Sequence, residues 1–235
     1  MPPMISINIS CLNRARMLRE CIDSFLEQTL SNFEIIVVDD GSTEDISFVS
    51  DMDDRVKFYR QKHGGMAKGL NLAMEKSSGQ YIMPFGSDDL VLPNLLLETF
   101  EVLYNNPEYD VVYTDYWVRN REGGEIRKKH IEITDTKKAY EMMLEQQYIP
   151  HGGTLWKKEM CPKYDETVWS AEDWELMLTA MESGVRFKHL PKRLWVYRTG
   201  HSREGDTQWQ VDGCNKVLGR RGFRFDEKTR RGIKL

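Results

Sequence analysis

No run of apolar residues in this chain approaches the roughly 18 to 20 that cross a bilayer, and the opening Met1-Pro2-Pro3-Met4 has neither the basic nor the apolar segment of a secretory leader. The expectation is a cytoplasmic protein without a membrane span. Cysteine is sparse and unpatterned: Cys11, Cys21, Cys161 and Cys214 show no CxxC spacing, which argues against a zinc site or a disulfide framework and for reduced thiols in or near the core. Excess positive charge is missing too. The formal net charge is -4, unlike the basic footprint of nucleic-acid-binding domains, so no nucleic-acid partner is expected. Internal repeats, low-complexity tracts and linkers are absent. What remains, 235 residues with 40% hydrophobic and 30% charged, is an ordinary globular chain long enough for one sizeable core.

Met4 to Ser10 alternates apolar residues up to a polar turn, and Leu18 to Leu30 places Leu18, Cys21, Ile22, Phe25 and Leu26 on one helical stripe. Glu34 to Val38 is a nearly continuous β-branched run closed by Asp39-Asp40-Gly41-Ser42, the pattern of a strand buried on both faces in a parallel sheet. A strand over Val56 to Arg60, a helix from Met66 to Lys76 and a strand over Gln80 to Phe85, ending at Gly86-Ser87-Asp88-Asp89, follow. Beyond Pro93 come a helix over Asn94 to Tyr104, a strand at Val111-Val112-Tyr113 and a hairpin or loop from Asn120 to Lys129. The alternation predicts an α/β fold: a doubly wound, mostly parallel central sheet flanked by helices, with a smaller mixed region after it. One domain over residues 1–219 is expected, split near residue 110 into two halves, and 220–235 reads as a basic C-terminal tail, mobile or partner-facing, or simply solvated.

Both acidic turns fall at the carboxyl ends of strands, where doubly wound sheets bind ligands. Each has two readings. Asp39-Asp40-Gly41-Ser42 is good turn chemistry as well as a binding element. Asp88 and Asp89 suit a divalent cation, because adjacent carboxylates are costly unless compensated; they would serve equally as the cap of the next helix.

The order and spacing of these stretches resemble glycosyltransferase family 2. The likeness runs through Ser6 to Ala15, Ser24 to Ser42, Gly65 to Asn71, Gly79 to Ile82, Ser87-Asp88-Asp89, Ala171-Glu172-Asp173-Trp174 and Tyr197 to Ser202. It implies a GT-A fold and inverting, metal-dependent transfer of a sugar from a nucleotide donor, usually UDP-linked, in glycan or polysaccharide synthesis. By the same resemblance, Asp39 holds the base beside the Ser10, Cys11 and Asn13 turn, and Lys68 and Asn71 approach the donor. Asp88 is the main ligand of Mn2+ or Mg2+, with Asp89 supporting and His201 a further ligand, while Arg198 could pair with phosphate. Asp173, with Glu172 beside it, is the catalytic base, although acidic residues also favour a helix's first turn through its dipole. His151, Gly152 and Trp174 border the acceptor, a glycan, lipid-linked glycan or protein hydroxyl; Trp169 and Trp174 could stack a sugar ring or pack in the core.

Four positions depart from the family pattern: Gly86 for the usual first Asp, Ser10 for Pro, Leu12 for an aromatic residue and Leu70 for Arg. They bear on donor identity rather than fold. Two rivals follow: a GT-A-shaped binding or scaffold domain without turnover, suggested by Gly86, and a nucleotidyltransferase, disfavoured because Ser10 to Arg16 lacks glycine. A homodimer is compatible with all three.

Overall fold

A computed structural model of the chain describes residues 4–120, 125–128, 136–199 and 207–235. In chain order the elements are β1 (Ile5–Cys11), α1 (Ala15–Leu26), β2 (Phe33–Asp39), β3 (Val56–Arg60), α2 (Met66–Lys76), β4 (Tyr81–Gly86), β5 (Leu90–Val91), α3 (Leu95–Asn105), β6 (Val111–Arg119), β7 (Glu125–Lys128), α4 (Thr136–Glu145), β8 (Thr154–Lys157), α5 (Glu172–Glu182), β9 (Phe187–Arg198), α6 (Thr207–Gly219), β10 (Phe223–Asp226) and β11 (Arg231–Lys234). Among the described residues one sheet has the order β3-β2-β1-β4-β8-β6-β9-β5, with β7 on β6. The first four strands are mutually parallel; β8 runs antiparallel to both β4 and β6, while β9 is parallel to β6. This is the expected α/β architecture, a parallel half joined to a mixed one.

The parallel half follows from its apolar runs. Every residue of β2 is buried, because helices cover both faces of the sheet. Ile35 and Val37 join the core on the α1 side, where Leu18, Cys21, Ile22 and Phe25 are inserted; Ile36 and Val38 meet Ala73 of α2 on the other. Phe25 sits edge-on to Phe85 of β4, ring centres 5.0 Å apart, so α1 is anchored across the sheet by aromatic contact as well as area burial.

Three expectations need correction. The first helix stops at Leu26 rather than Leu30, because the next residues are captured by distant partners: Gln28 donates to the Leu92 carbonyl at 2.7 Å and Thr29 N–H to that of Pro93 at 2.9 Å. The strand at 111–113 extends to Arg119, because β9 pairs along its length and β7 joins it over Tyr116–Arg119. Residues 220–235 are folded: β10 and β11 pair antiparallel, and Arg221 reaches Glu175 at 2.7 Å and Glu182 at 2.6 Å. Arg220 and Arg221 thus spend their charge internally, on Glu175 and Glu182 of α5 and on Asp165. Of the stretch 120–129, residues 121–124 and 129 lie outside the described residues.

Candidate active site

The turns after β1 and β2 are stitched together. Asn13, in the left-handed region at φ 53°, accepts the N–H groups of Thr43 at 2.8 Å and Glu44 at 3.3 Å through Oδ1, and its own N–H donates to Ser42 Oγ at 2.9 Å. Cys11 accepts the Asp40 N–H, and burial pushes its thiol up to about 11, leaving it inert. Ser10 Oγ lies against Gly69, where any side chain on α2 would collide.

The two acids of the second turn divide their roles. Asp40 is saturated: Oδ1 accepts Gln61 Nε2 and Gly64 N–H, and Oδ2 contacts His63 Nδ1 and accepts Gly65 N–H, all at 2.8 to 2.9 Å. It shapes the corner that leads into α2. Asp39 is fully buried; Oδ1 accepts Ser42 N–H at 2.8 Å, while Oδ2 has no hydrogen-bond partner, with Arg60 Nε 3.4 Å away. A buried carboxylate oxygen left open in this way is costly unless a ligand donor completes it. Lys68 is exposed on the first turn of α2, its chain lying along Gly64. Asn71, expected to approach the donor, instead spends both ends of its amide on the stretch near Tyr164, donating to the Tyr164 carbonyl and Glu166 at 3.0 Å and accepting the Tyr164 N–H at 2.9 Å.

After β4 the chain turns through Asp88 and Asp89 into β5, and the following helix is preceded by Asn94. The helix-cap reading of these acids therefore fails. Asp88 Oδ2 pairs with Arg14 Nη1 at 2.5 Å. Asp89 is buried, accepts the Arg198 N–H at 2.8 Å, and is pushed well above the usual carboxylate range by burial and then by Asp88. Arg198 corrects another expectation: its guanidinium, only 9% exposed, is consumed by Glu20 and the carbonyls of Asp88 and Met17, so it braces the acidic turn and does not face a phosphate. A Cβ at position 86 would stand 3.0 Å from the Asp89 carboxylate and 3.1 Å from that of Asp88; glycine there lets the two acids close over the strand end. Among the described residues no three His, Cys, Asp or Glu side chains cluster tightly enough to hold an ion by themselves. Asp88 nevertheless suits one as a hard, partly open oxygen ligand, although Arg14 now occupies its Oδ2. His201 lies outside the described residues.

On the acceptor side α5 opens after Ala171, held at φ 62°. Asp173 accepts its neighbour Trp174's N–H at Oδ1 and Gln147 Nε2 at Oδ2, both at 2.8 Å. Glu172 is buried beside it, and burial followed by the Asp173 charge raises its carboxyl to about 7. His151 Nε2 meets Tyr164 Oη at 2.7 Å, and burial holds the imidazole down against the pull of Asp173. Gly152 and Gly153 make room for a different neighbour than expected. Side chains there would strike the Trp195 indole, and Gly153 sits at φ 68°, a conformation glycine adopts at little cost. Trp174 is core, 3% exposed with its indole N–H donated to the Met143 carbonyl. Trp169 is the exposed ring, at 51%, edge-on to His63 and packed over Gly65. Sequence reasoning missed Arg14, Gln147, Tyr164 and Tyr197. The Tyr197 hydroxyl is raised to about 12 by burial and then by the charges of Asp89, Asp88 and Asp173.

The raised Glu172 carboxyl has a consequence for stability. Folding costs nothing through this group below its ordinary value of 4.5, costs progressively more as pH rises towards about 7, and the cost then stays constant. Glu172→Gln is expected to remove that slope, gaining about 3 kcal/mol relative to the parent at pH 8 and little at pH 4.5; urea unfolding of both proteins at the two pH values measures it.

Comparison with known proteins places the chain in a family. The model of the family described as "Glycosyl transferase family 2" matches residues 6–163. Relatives include an uncharacterized glycosyltransferase of Rickettsia bellii, 28% identical over 92% of this chain and 33% of its own length. EpsJ of Bacillus subtilis, also an uncharacterized glycosyltransferase, is 26% identical over 84% and 62%, and the chondroitin synthase of Escherichia coli is 27% identical over 81% and 28%. The chain thus spans less than two thirds of these relatives. Among solved structures, S. aureus TarS 1-349 in complex with UDP superposes with a TM-score of 0.69 at 17% identity, covering 92% of this chain and 71% of that one; the UDP-GlcNAc complex gives 0.69 over 91% and 65%. A strand-end pair of acidic turns on this sheet, and a family model spanning most of the chain, lead to one conclusion: the chain belongs to glycosyltransferase family 2.

Proposed function

We propose that this protein transfers a sugar from a nucleoside diphosphate donor, a UDP-sugar, to an acceptor hydroxyl with inversion at the anomeric carbon. The observation that carries the reading is the buried Oδ2 of Asp39 at the carboxyl end of a parallel strand, which has Arg60 Nε 3.4 Å away but no hydrogen-bond partner. An imide N–H of uracil is a donor of the right kind for it, and the neighbouring TarS structures hold UDP and UDP-GlcNAc. Asp88 would hold a Mn2+ or Mg2+ ion together with diphosphate oxygens, with Asp89 behind it; His201 is assigned there by resemblance alone. When bound, such an ion supplies Lewis-acid stabilisation of the leaving diphosphate.

The chain's own groups do the rest. Asp173, oriented through Oδ2 by Gln147, takes the proton of the acceptor hydroxyl as its oxygen bonds to the anomeric carbon; the bond to the diphosphate oxygen breaks and the electron pair leaves with the nucleotide. His151 and Tyr164 are joined to each other, and both feel the charge of Asp173. The acceptor is a glycan, lipid-linked glycan or protein hydroxyl.

Asp39→Asn keeps an oxygen for the Ser42 N–H but turns a donor towards the base. It is expected to weaken UDP binding by roughly tenfold to a hundredfold, the value of a hydrogen bond to a charged group, measured by calorimetry with Mn2+ present. Equal affinity in the two proteins would remove Asp39 from the donor site. Binding of UDP without release of UDP from any sugar nucleotide, with acceptors supplied, would favour the scaffold alternative.

A further inference from the structure

The Asp88 carboxylate, the proposed cation ligand, is already paired with a cation of the protein's own. Arg14 Nη1 lies 2.5 Å from Asp88 Oδ2, bridging 74 residues of sequence, and both side chains are mostly shielded from solvent. The backbone that carries Arg14 has little freedom. Asn13 is tied on both sides to the Ser42–Glu44 turn, Ala15 N–H donates to Glu44 Oε2 at 2.9 Å, and the Arg14 carbonyl accepts Leu18 N–H as the first bond of α1. Only the side chain is left to move. A divalent ion and a guanidinium cannot share one carboxylate oxygen at contact distance, because like charges so close repel strongly. An ion that binds through Oδ2 must displace Arg14, and a guanidinium leaving a carboxylate seeks another anion of matching geometry.

We propose that Arg14 is a donor-sensing residue that holds Asp88 in the empty protein and transfers to the donor's diphosphate, releasing Asp88 to the divalent cation. The inference rests on the donor-site reading above and adds to it a reason for nucleotide and metal to bind together. The metal alone must displace Arg14 with no new anion to receive it. The nucleotide supplies that anion. Each ligand should therefore raise the affinity of the other by the same factor, as linkage requires.

The test is Mn2+ uptake followed by electron paramagnetic resonance of the free ion, with and without saturating UDP, the Mn2+ bound by UDP in solution being subtracted. Wild type should take up Mn2+ weakly alone and at least tenfold more tightly with UDP. Arg14→Met should bind Mn2+ alone at least tenfold more tightly than wild type, with the UDP enhancement reduced in proportion. Arg14→Lys, which keeps a cation, should stay near wild type, and Arg14→Met combined with Asp88→Ala should lose the gain, locating it at Asp88. Circular dichroism establishes that each variant is folded. Equal Mn2+ affinity of Arg14→Met and wild type without UDP, or an unchanged UDP enhancement in Arg14→Met, overturns the proposal while leaving the donor site standing. Failure of every form to take up Mn2+ with UDP present overturns both.

Discussion

Asp173→Asn is expected to bind UDP with wild-type affinity and to transfer sugar about 10²- to 10⁴-fold more slowly, the range a positioned general base contributes. The substitution is nearly isosteric. Asp173 Oδ1 accepts a backbone N–H at the head of α5 and Oδ2 accepts Gln147 Nε2; an asparagine preserves the first bond and presents an amide that cannot take a proton. The loss should fall on kcat, with little change in KM for the donor, because the proposed base would act on the acceptor and not on the nucleotide. Steady-state rates of UDP release beside calorimetric UDP titrations separate the two quantities. Wild-type turnover in Asp173→Asn would pass the role of base to Glu172, whose carboxyl near 7 also suits proton transfer at neutral pH.

Asp88→Ala should behave differently, losing both metal stimulation and much of the UDP affinity. Removing a group that stabilises charge on the leaving diphosphate costs about 10²- to 10³-fold in rate on the scale of a single oxyanion contact, and more where an ion leaves with it. The variant also strips Arg14 of its partner at 2.5 Å, so its residual UDP binding should no longer depend on Mn2+. UDP-sugar turnover across a Mn2+ series, with calorimetry in the presence and absence of the metal, distinguishes this from unfolding. Mn2+-stimulated turnover persisting in Asp88→Ala would move the cation site elsewhere.

Much of the parallel half was legible because its determinants are local. The apolar runs of Ile5–Cys11 and Phe33–Asp39, the amphipathic stripe of Ala15–Leu26 and the Gly-bounded helix Met66–Lys76 each carry their own periodicity, and burial on two faces of one sheet follows from it. The acidic turns were found for the same reason, since they close strands. What was not legible depends on partners far along the chain. Asn71 is placed near the donor by resemblance alone; the partners that use its amide are 93 and 95 residues away. Arg198 reads in sequence as a phosphate contact, but Glu20, 178 residues earlier, claims its guanidinium. Trp174 and Trp169 could not be ranked as core or surface from helix position alone, because one meets Met143 and the other only a loop corner. The basic terminal residues read as a tail, since neither the acids of α5 nor the pairing of Phe223–Asp226 with Arg231–Lys234 leaves a periodic trace in so short a stretch.

The four groups converging on Asp40 carry one more implication. With Gln61, His63, Gly64 and Gly65 all tethered to a single carboxylate, the corner into α2 has its shape before any nucleotide arrives. Its ordering entropy is settled during folding, leaving nearly all the contact energy for the ligand. Nucleotide capture at this rim should therefore resemble a key entering a finished lock, with rearrangement confined to individual side chains.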